Sequence, residues 1–403
     1  MARPYKNVEK RCMTELGIGV IGMGWMGQVH ARSYRLARQR FPDSGLSARL
    51  VICSDNVAQR AETARELLGF ESASTRWRDV VEHPAVEIVN IATPNHLHVE
   101  IAEAAAAAGK HIFCEKPVGR TPQETAQIEF LARRAGVLSF VGFNYRWAPL
   151  VIQAKKLISQ GALGELTQYR GRFFSMYGSD PLGLLSWRFD REIAGYGVLG
   201  DVMAHVTDMA LYLAGGVTRL VSNAHTFITE RPKPIPGKGT HYSRGAPDDP
   251  KGPVTNEDYV GALLEFENGA RGSVEVSRSI FGPKNQMAFE LNGTKGAINW
   301  DFERMNELQL YLPDADGGHD GYTRLVGGDQ YPYHGNFNPG EGSGLGYEDM
   351  KVIEAYNFLQ SVADGVQRAP GLAEALAVAE VHAAMIRSWE SGAWEVVKSL
   401  RLD

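Results

Sequence analysis

Apolar and polar positions switch between two periods along the first third of the chain. Short apolar runs rich in β-formers recur at "LGIGVIG", "ARLVICSD", "VEIVNIAT", "KHIFCEK" and "VLSFVGFNYR". Between them lie helical segments: the stretch after Gly27, then "NVAQRAETARELLG", "HVEIAEAAAAAG" and "TPQETAQIEFLARRAG". The last has a threonine cap and a proline in its first turn. This alternation predicts a parallel, doubly wound sheet, where ligands sit beyond the carboxyl ends of the strands.

After Pro149 the pattern changes. A helix near 151–160 precedes the β-rich "ELTQYRGRFFSMYG". Asn268-Gly269 and Asn292-Gly293 each stand between two β-rich runs, a hairpin signal. "ELQLYLP" adds a strand, and amphipathic helices near 348–364 and 371–391 close the chain. A largely antiparallel sheet with helices on one side follows. The expected division is 1–145 (with 1–13 as an extension) and 146–403. Two irregular stretches interrupt the second part: 231–255, rich in Pro and Gly, and 313–347, with ten glycines and the aromatics Tyr322, Tyr331, Tyr333, Phe337 and Tyr347. Each is a lid, a binding loop, a subunit contact or a disordered insertion.

Composition narrows the partners. The net charge of -5 and the lack of a basic stripe argue against nucleic acid. No apolar run reaches the ~18–20 residues of a membrane helix. The opening "MARPYKNVEKRC" lacks the apolar core of a secretory signal, and Met13 is an alternative start. Cys12, Cys53 and Cys114 form no disulfide framework and no metal-type pair, which fits a reducing cytoplasm.

The first apolar run leads into Gly22, Gly24 and Gly27 and then a helix, a G-x-G-x-x-G turn in its strand–turn–helix setting. Such a turn lets backbone approach a pyrophosphate at a helix N-terminus. The second run ends at Asp55. A carboxylate there accepts from ribose hydroxyls and repels a 2′-phosphate, which favours NAD over NADP; otherwise Asp55 caps the next helix. Arg60, one turn into that helix, reads as solvated. The strand-end rule then selects "ATPNHLH" (92–98), "CEKP" (114–117) and "FNYRWAP" (143–149). His96 and His98 lack further ligands at a zinc spacing, so no metal site is expected. In "LGDVMAHVTDMALYL", Asp201, His205 and Asp208 share one face of an apolar helix. His205 is either a satisfied core histidine or half of an active site.

The glycine turn, "ATPNHLH", "CEKP" and "GDVMAHVTD", in this order, resemble the Gfo/Idh/MocA oxidoreductases over essentially the whole chain from Leu16. "LSWRFDREIAGYGVLGDVMAHVTDMALYL", "KGPV", "NGTKGAINWDFERMNELQL" and "GLGYEDMK" are similar to that family's levoglucosan dehydrogenase-like branch. The loop before Asp55 and the N-terminal extension depart from the pattern without touching a motif residue. The resemblance implies an α/β N-terminal Rossmann domain plus an α+β C-terminal domain with an open, largely antiparallel sheet. It also implies a homodimer or homotetramer through that sheet, and NAD-dependent oxidation of a sugar, anhydrosugar or cyclitol hydroxyl. An NAD-dependent glycosidase working through transient C3 oxidation is the alternative.

Lys116, Asp201 and His205 are the implied catalytic residues: a positive group, its neighbour and a base. Asp201 either orients the imidazole or binds substrate hydroxyls. Implied cofactor contacts are Gly22, Gly24, Trp25, Met26, Gly27, Asp55, Thr93, Pro94, Asn95, His98, Glu115, Lys116 and Asn144. Asn144, Arg146, Trp187, Arg188 and Tyr347 are candidates for the sugar pocket beside the catalytic three. Asp208 is assigned no part in the chemistry.

Overall fold

The computed structural model describes residues 13–234, 243–313 and 320–403. Cys12 and the rest of the N-terminal extension up to it lie outside these, as do parts of both irregular stretches. The first region contains β1 (Thr14–Ile21), α1 (Trp25–Arg40), β2 (Leu46–Ser54), α2 (Ala58–Leu68), β3 (Ser72–Ser74), α3 (Trp77–Val81), β4 (Ile88–Ile91), α4 (His98–Ala107), β5 (His111–Cys114), α5 (Pro122–Ala135) and β6 (Ser139–Val141). The sheet order is β3-β2-β1-β4-β5-β6, with every pairing parallel. β1, β4 and β5 are almost wholly buried because helices cover both faces. The extra length before Asp55 is spent on α1, which runs to Arg40, and on a single 3-10 turn at Pro42–Ser44.

The chain continues with α6 (Pro149–Ser159), β7 (Leu166–Ser175), α7 (Arg191–Ala194), α8 (Ala204–Ala214) and β8 (Val217–His225). Then come β9 (Glu230–Pro232), β10 (Lys251–Pro253), β11 (Tyr259–Phe266), β12 (Arg271–Ser277), β13 (Asn285–Gly293), β14 (Ala297–Asp301), β15 (Glu307–Tyr311) and β16 (Thr323–Val326). The C-terminal segment is α9 (Tyr347–Asp364), α10 (Leu372–Ser391) and β17 (Glu395–Val396). A nine-stranded sheet runs β16-β15-β14-β13-β7-β12-β11-β8-β17, antiparallel except where β7 meets β12. Both expected hairpins form, as β11–β12 and β13–β14, but only Asn268-Gly269 lies at its turn, for Asn292-Gly293 ends strand β13.

The last two helices pack back on the first region. Ala355, Phe358 and Leu359 of α9 share a core with Tyr34 and Phe113, while Leu372, Ala375 and Val378 of α10 join Ile128 and Ala132. Both irregular stretches contribute structure among the described residues. Around the first, β9 pairs with β10. In the second, Tyr333 and Phe337 pack edge-on against Phe41, which itself stacks on Tyr356 with ring centroids 3.9 Å apart.

Candidate active site

The glycine turn is built for close backbone approach. Gly22 has φ 92°, and a Cβ there would lie 2.6 Å from the Ala92 carbonyl oxygen. A Cβ on Gly27 would meet the Gly22 oxygen at 1.9 Å, so only glycine lets α1 seat against β1. Gly24 faces open space, and α1 begins without a side-chain cap. Its first N–H groups and the positive end of its dipole are therefore available to a phosphate. Farther along the strand ends, the Thr93 hydroxyl and the Asn144 amide nitrogen are buried without partners. Uncapped helix, open glycine and orphaned polar atoms fit a dinucleotide.

Asp55 is more committed than a bare ribose reader. Its carboxylate accepts the N–H groups of Met23 and Val57, both at 3.0 Å. It thus ties the glycine turn to the start of α2. Arg60 is not merely solvated, for its guanidinium reaches both Asp55 oxygens at 3.1 and 3.2 Å. Trp25 is exposed and stacks on Tyr347, and the Tyr347 hydroxyl lies 3.8 Å from the Met26 sulfur. These contacts bring the start of α9 over the turn.

Three expected cofactor contacts have other employment. His98 is buried, with its ring hydrogen-bonded to the carbonyls of Thr93, Pro117 and Val118. Asn95 donates its amide to the Ala194 carbonyl, and Pro94 opens the 3-10 turn that carries it. Glu115 accepts from Lys351 at 2.9 Å and pairs with His30 at 2.7 Å. Lys351 also meets Glu354 at 2.9 Å. Burial pushes the Glu115 carboxyl upward, but Lys351 and His30 outweigh it and hold the group well below its usual range.

At the end of β5 the Lys116 ammonium donates to the Asp201 carbonyl at 2.7 Å and to the Asp201 carboxylate at 2.9 Å. The other carboxylate oxygen accepts the Tyr177 hydroxyl at 2.8 Å, while Arg188 approaches, at 3.4 Å, the oxygen that Lys116 holds. Burial works against the Asp201 charge, yet Lys116 and Arg188 hold its pKa far below normal. His205 is buried edge-on to Tyr145, with centroids 4.8 Å apart, and its Nδ1 has no partner. Burial, reinforced by Lys116, keeps the imidazole neutral well below its ordinary pKa. A neutral imidazole in a site that also holds a fixed ammonium can take a proton from a hydroxyl while the ammonium steadies the oxygen.

Two expectations need correcting. Asp201 forms no hydrogen bond with His205 among the described contacts, although the helical spacing suggested one, because residues Leu199–Met203 form a π turn that precedes α8. Its carboxylate goes to Lys116 instead of orienting the imidazole. Arg146 is committed to Asp208 through two hydrogen bonds of 2.8 and 2.6 Å, both side chains being buried. That pair spends the fork expected to grip a sugar and gives Asp208 its role. Trp187 and Arg188 occupy a 3-10 turn, with the guanidinium 4.7 Å over the indole. Sequence reasoning missed Tyr177, His30, Lys351 and Glu354. Lys351 and Glu354 fall on the buried stripe of an otherwise amphipathic helix, and that pattern break was the available signal.

Comparison with known proteins agrees with this geometry. Residues 16–143 match the model of an oxidoreductase family with an NAD-binding Rossmann fold, and residues 151–299 match the GFO/IDH/MocA C-terminal domain. The chain belongs to the Gfo/Idh/MocA oxidoreductase family. It is 39% identical over 383 residues to levoglucosan dehydrogenase of Pseudarthrobacter phenanthrenivorans, covering 95% of this chain and 98% of that one. It is 30% identical over 280 residues to scyllo-inositol 2-dehydrogenase (NAD(+)) of Bacillus subtilis, covering 69% of this chain and 72% of that one. A solved levoglucosan dehydrogenase in complex with NADH superimposes with a TM-score of 0.90 at 36% identity, over 96% of this chain and 100% of the other. This Gfo/Idh/MocA member is thus an NAD-dependent dehydrogenase of CH–OH groups. Among the described residues no helix is long and apolar enough to cross a membrane.

Proposed function

We propose that the protein oxidises a ring hydroxyl of an anhydrosugar of the levoglucosan kind, or of a related sugar or cyclitol, to the ketone. The observation that carries this reading is the Lys116 ammonium held on Asp201, four residues before a neutral, buried His205. Bound at the glycine turn, NAD supplies the hydride acceptor. His205 takes the hydroxyl proton, and Lys116 donates a hydrogen bond to the developing alkoxide. Asp201 fixes Lys116 and, with Tyr177 and Arg188, supplies polar contacts for neighbouring hydroxyls. Trp187 offers an aromatic face to the apolar side of the ring. Thr93 and Asn144 supply polar atoms beside the cofactor. The likeness to levoglucosan dehydrogenase supports the substrate class. The reading also takes the enzyme to work in the cytoplasm as a homodimer or homotetramer through the C-terminal sheet.

The test is a panel of levoglucosan, myo- and scyllo-inositol, glucose and simple glycosides with NAD and NADP, followed at 340 nm. NADH production, strongest with levoglucosan or a close analogue, is expected. Release of an aglycone without net NADH would replace this reading with the glycosidase.

A further inference from the structure

Arg188 sits in a 3-10 turn, Trp187–Phe189, on the loop between β7 and α7, and that turn is held from the C-terminal sheet. Asn256, in the loop before β11, is buried, and its side-chain amide donates to two carbonyls, Arg188 at 3.0 Å and Gly195 at 3.2 Å. Its amide oxygen accepts from Arg278, the residue after β12, at 2.8 Å. The same guanidinium reaches the Arg188 carbonyl at 3.3 Å and the Asp258 carboxylate at 2.7 Å. Asp258 in turn accepts the N–H groups of Phe227 and Ile228 at 2.9 and 3.0 Å. Both donors of the Asn256 amide and both acceptor positions of the Arg188 carbonyl are thus used. A buried polar cluster satisfied in this way holds one geometry, because a shift would strand a polar group away from water.

The two carbonyls belong to segments that meet in the site. Arg188 sends its guanidinium to the Asp201 carboxylate at 3.4 Å. Gly195 begins the segment that leads to Asp201. Glu257, next to Asn256, continues the grip on that segment. Its carbonyl accepts the Val198 N–H at 3.1 Å and its carboxylate the Leu199 N–H at 2.9 Å. The approach is close, for a Cβ on Gly197 would lie 2.1 Å from the Glu257 carbonyl oxygen. On the Arg188 side, the Phe189 ring packs under the guanidinium groups of Arg278 and Arg231, 4.4 and 4.1 Å from its centroid. The Phe189 carbonyl accepts the Thr255 N–H at 3.0 Å. One side-chain amide therefore bridges the Arg188 turn and the Asp201 segment.

We infer that Asn256 is a positioning residue for sugar binding: by bonding the Arg188 and Gly195 carbonyls it sets Arg188 against Asp201. This rests on the reading above, in which Arg188 and Asp201 supply polar contacts for substrate hydroxyls. The test compares wild type, Asn256→Ala, Arg188→Ala and the double variant, with NAD and the best substrate of the panel. Asn256→Ala should raise the sugar KM at least tenfold, while kcat and the NADH Kd, measured by fluorescence without sugar, stay within fivefold. In the Arg188→Ala background, Asn256→Ala should change KM by less than a further threefold, because its effect runs through Arg188. A crystal structure of Asn256→Ala should show the Trp187–Phe189 turn displaced and the Arg188–Asp201 contact broken. If Asn256→Ala does not fold, Arg278→Lys keeps a charge beside Asp258 and loses the donors to Arg188 and Asn256. It should show the same rise in KM and the same loss of effect without Arg188. A rise in KM below tenfold, a larger change in kcat or NADH affinity, effects that multiply in the double variant, or an unmoved turn in the crystal would each overturn the inference. Should wild type oxidise no sugar or cyclitol, the functional reading fails, and the crystal structure alone decides this one.

Discussion

Replacing Lys116 with methionine removes one charge and leaves the stem nearly unchanged in bulk. The ammonium makes two hydrogen bonds to Asp201, at 2.7 and 2.9 Å. Loss of one positioned donor to a developing oxyanion typically costs about 2.7–4 kcal/mol, or a factor of ~10²–10³ in kcat. Stability should suffer less. Breaking a fully buried pair costs ~3–5 kcal/mol, but these side chains are 16% and 19% exposed, and Asp201 keeps Tyr177 and Arg188. A loss of about 1–2 kcal/mol is expected. The sign of the pH effect follows from Asp201. Its folded pKa is depressed, so its stabilisation is present above the unfolded pKa and is lost as pH falls through the folded value. Without Lys116 the folded value rises, and the acid limb of the melting profile moves to higher pH. The assays are NADH formation at 340 nm, NADH binding by fluorescence, and melting temperature against pH. A kcat within tenfold of wild type, or NADH affinity falling as far as kcat, would refute the reasoning.

Two further outcomes concern the buried ion pairs. Burial raises the Glu354 carboxyl to about 8 despite Lys351 beside it. The stability that protonated Glu354 contributes is full below the unfolded pKa and is lost as pH rises to about 8, so Glu354→Gln should melt higher than wild type at pH 9, by a few kcal/mol, but not at pH 5; an equal difference at both values refutes it. Arg146→Met leaves Asp208 buried and unpaired and should cost about 3–5 kcal/mol in denaturant unfolding. Its sugar KM should stay within threefold at temperatures where it is folded, and a large rise in KM would return Arg146 to the sugar pocket.

What the amino-acid sequence determined by itself was local. The period of apolar positions gave the order of strands and helices, because burial on one face or two imposes period 3.6 or a continuous run. Gly22 and Gly27 were legible because no other residue fits the turn, and the first hairpin because Asn268-Gly269 favours its backbone; in the second, Asn292-Gly293 ends β13 and Thr294-Lys295 makes the turn. Lys116 was legible as a strand-end lysine and Asp201 and His205 as polar positions on an apolar helix face, and the resemblance joined them into one expected site. Tertiary structure decided which polar groups pair. Arg146 and Asp208 are 62 residues apart, and Glu115 and Lys351 are 236 apart. Each carries a charge that must find a partner on burial, and the choice among many candidates depends on which elements pack together. Periodicity also assumes a regular helix. The π turn at Leu199–Met203, which bears the Asp201 contact to Lys116, is a backbone irregularity held by contacts from the end of β5 and the loop before β11, and no period within residues 199–213 encodes it.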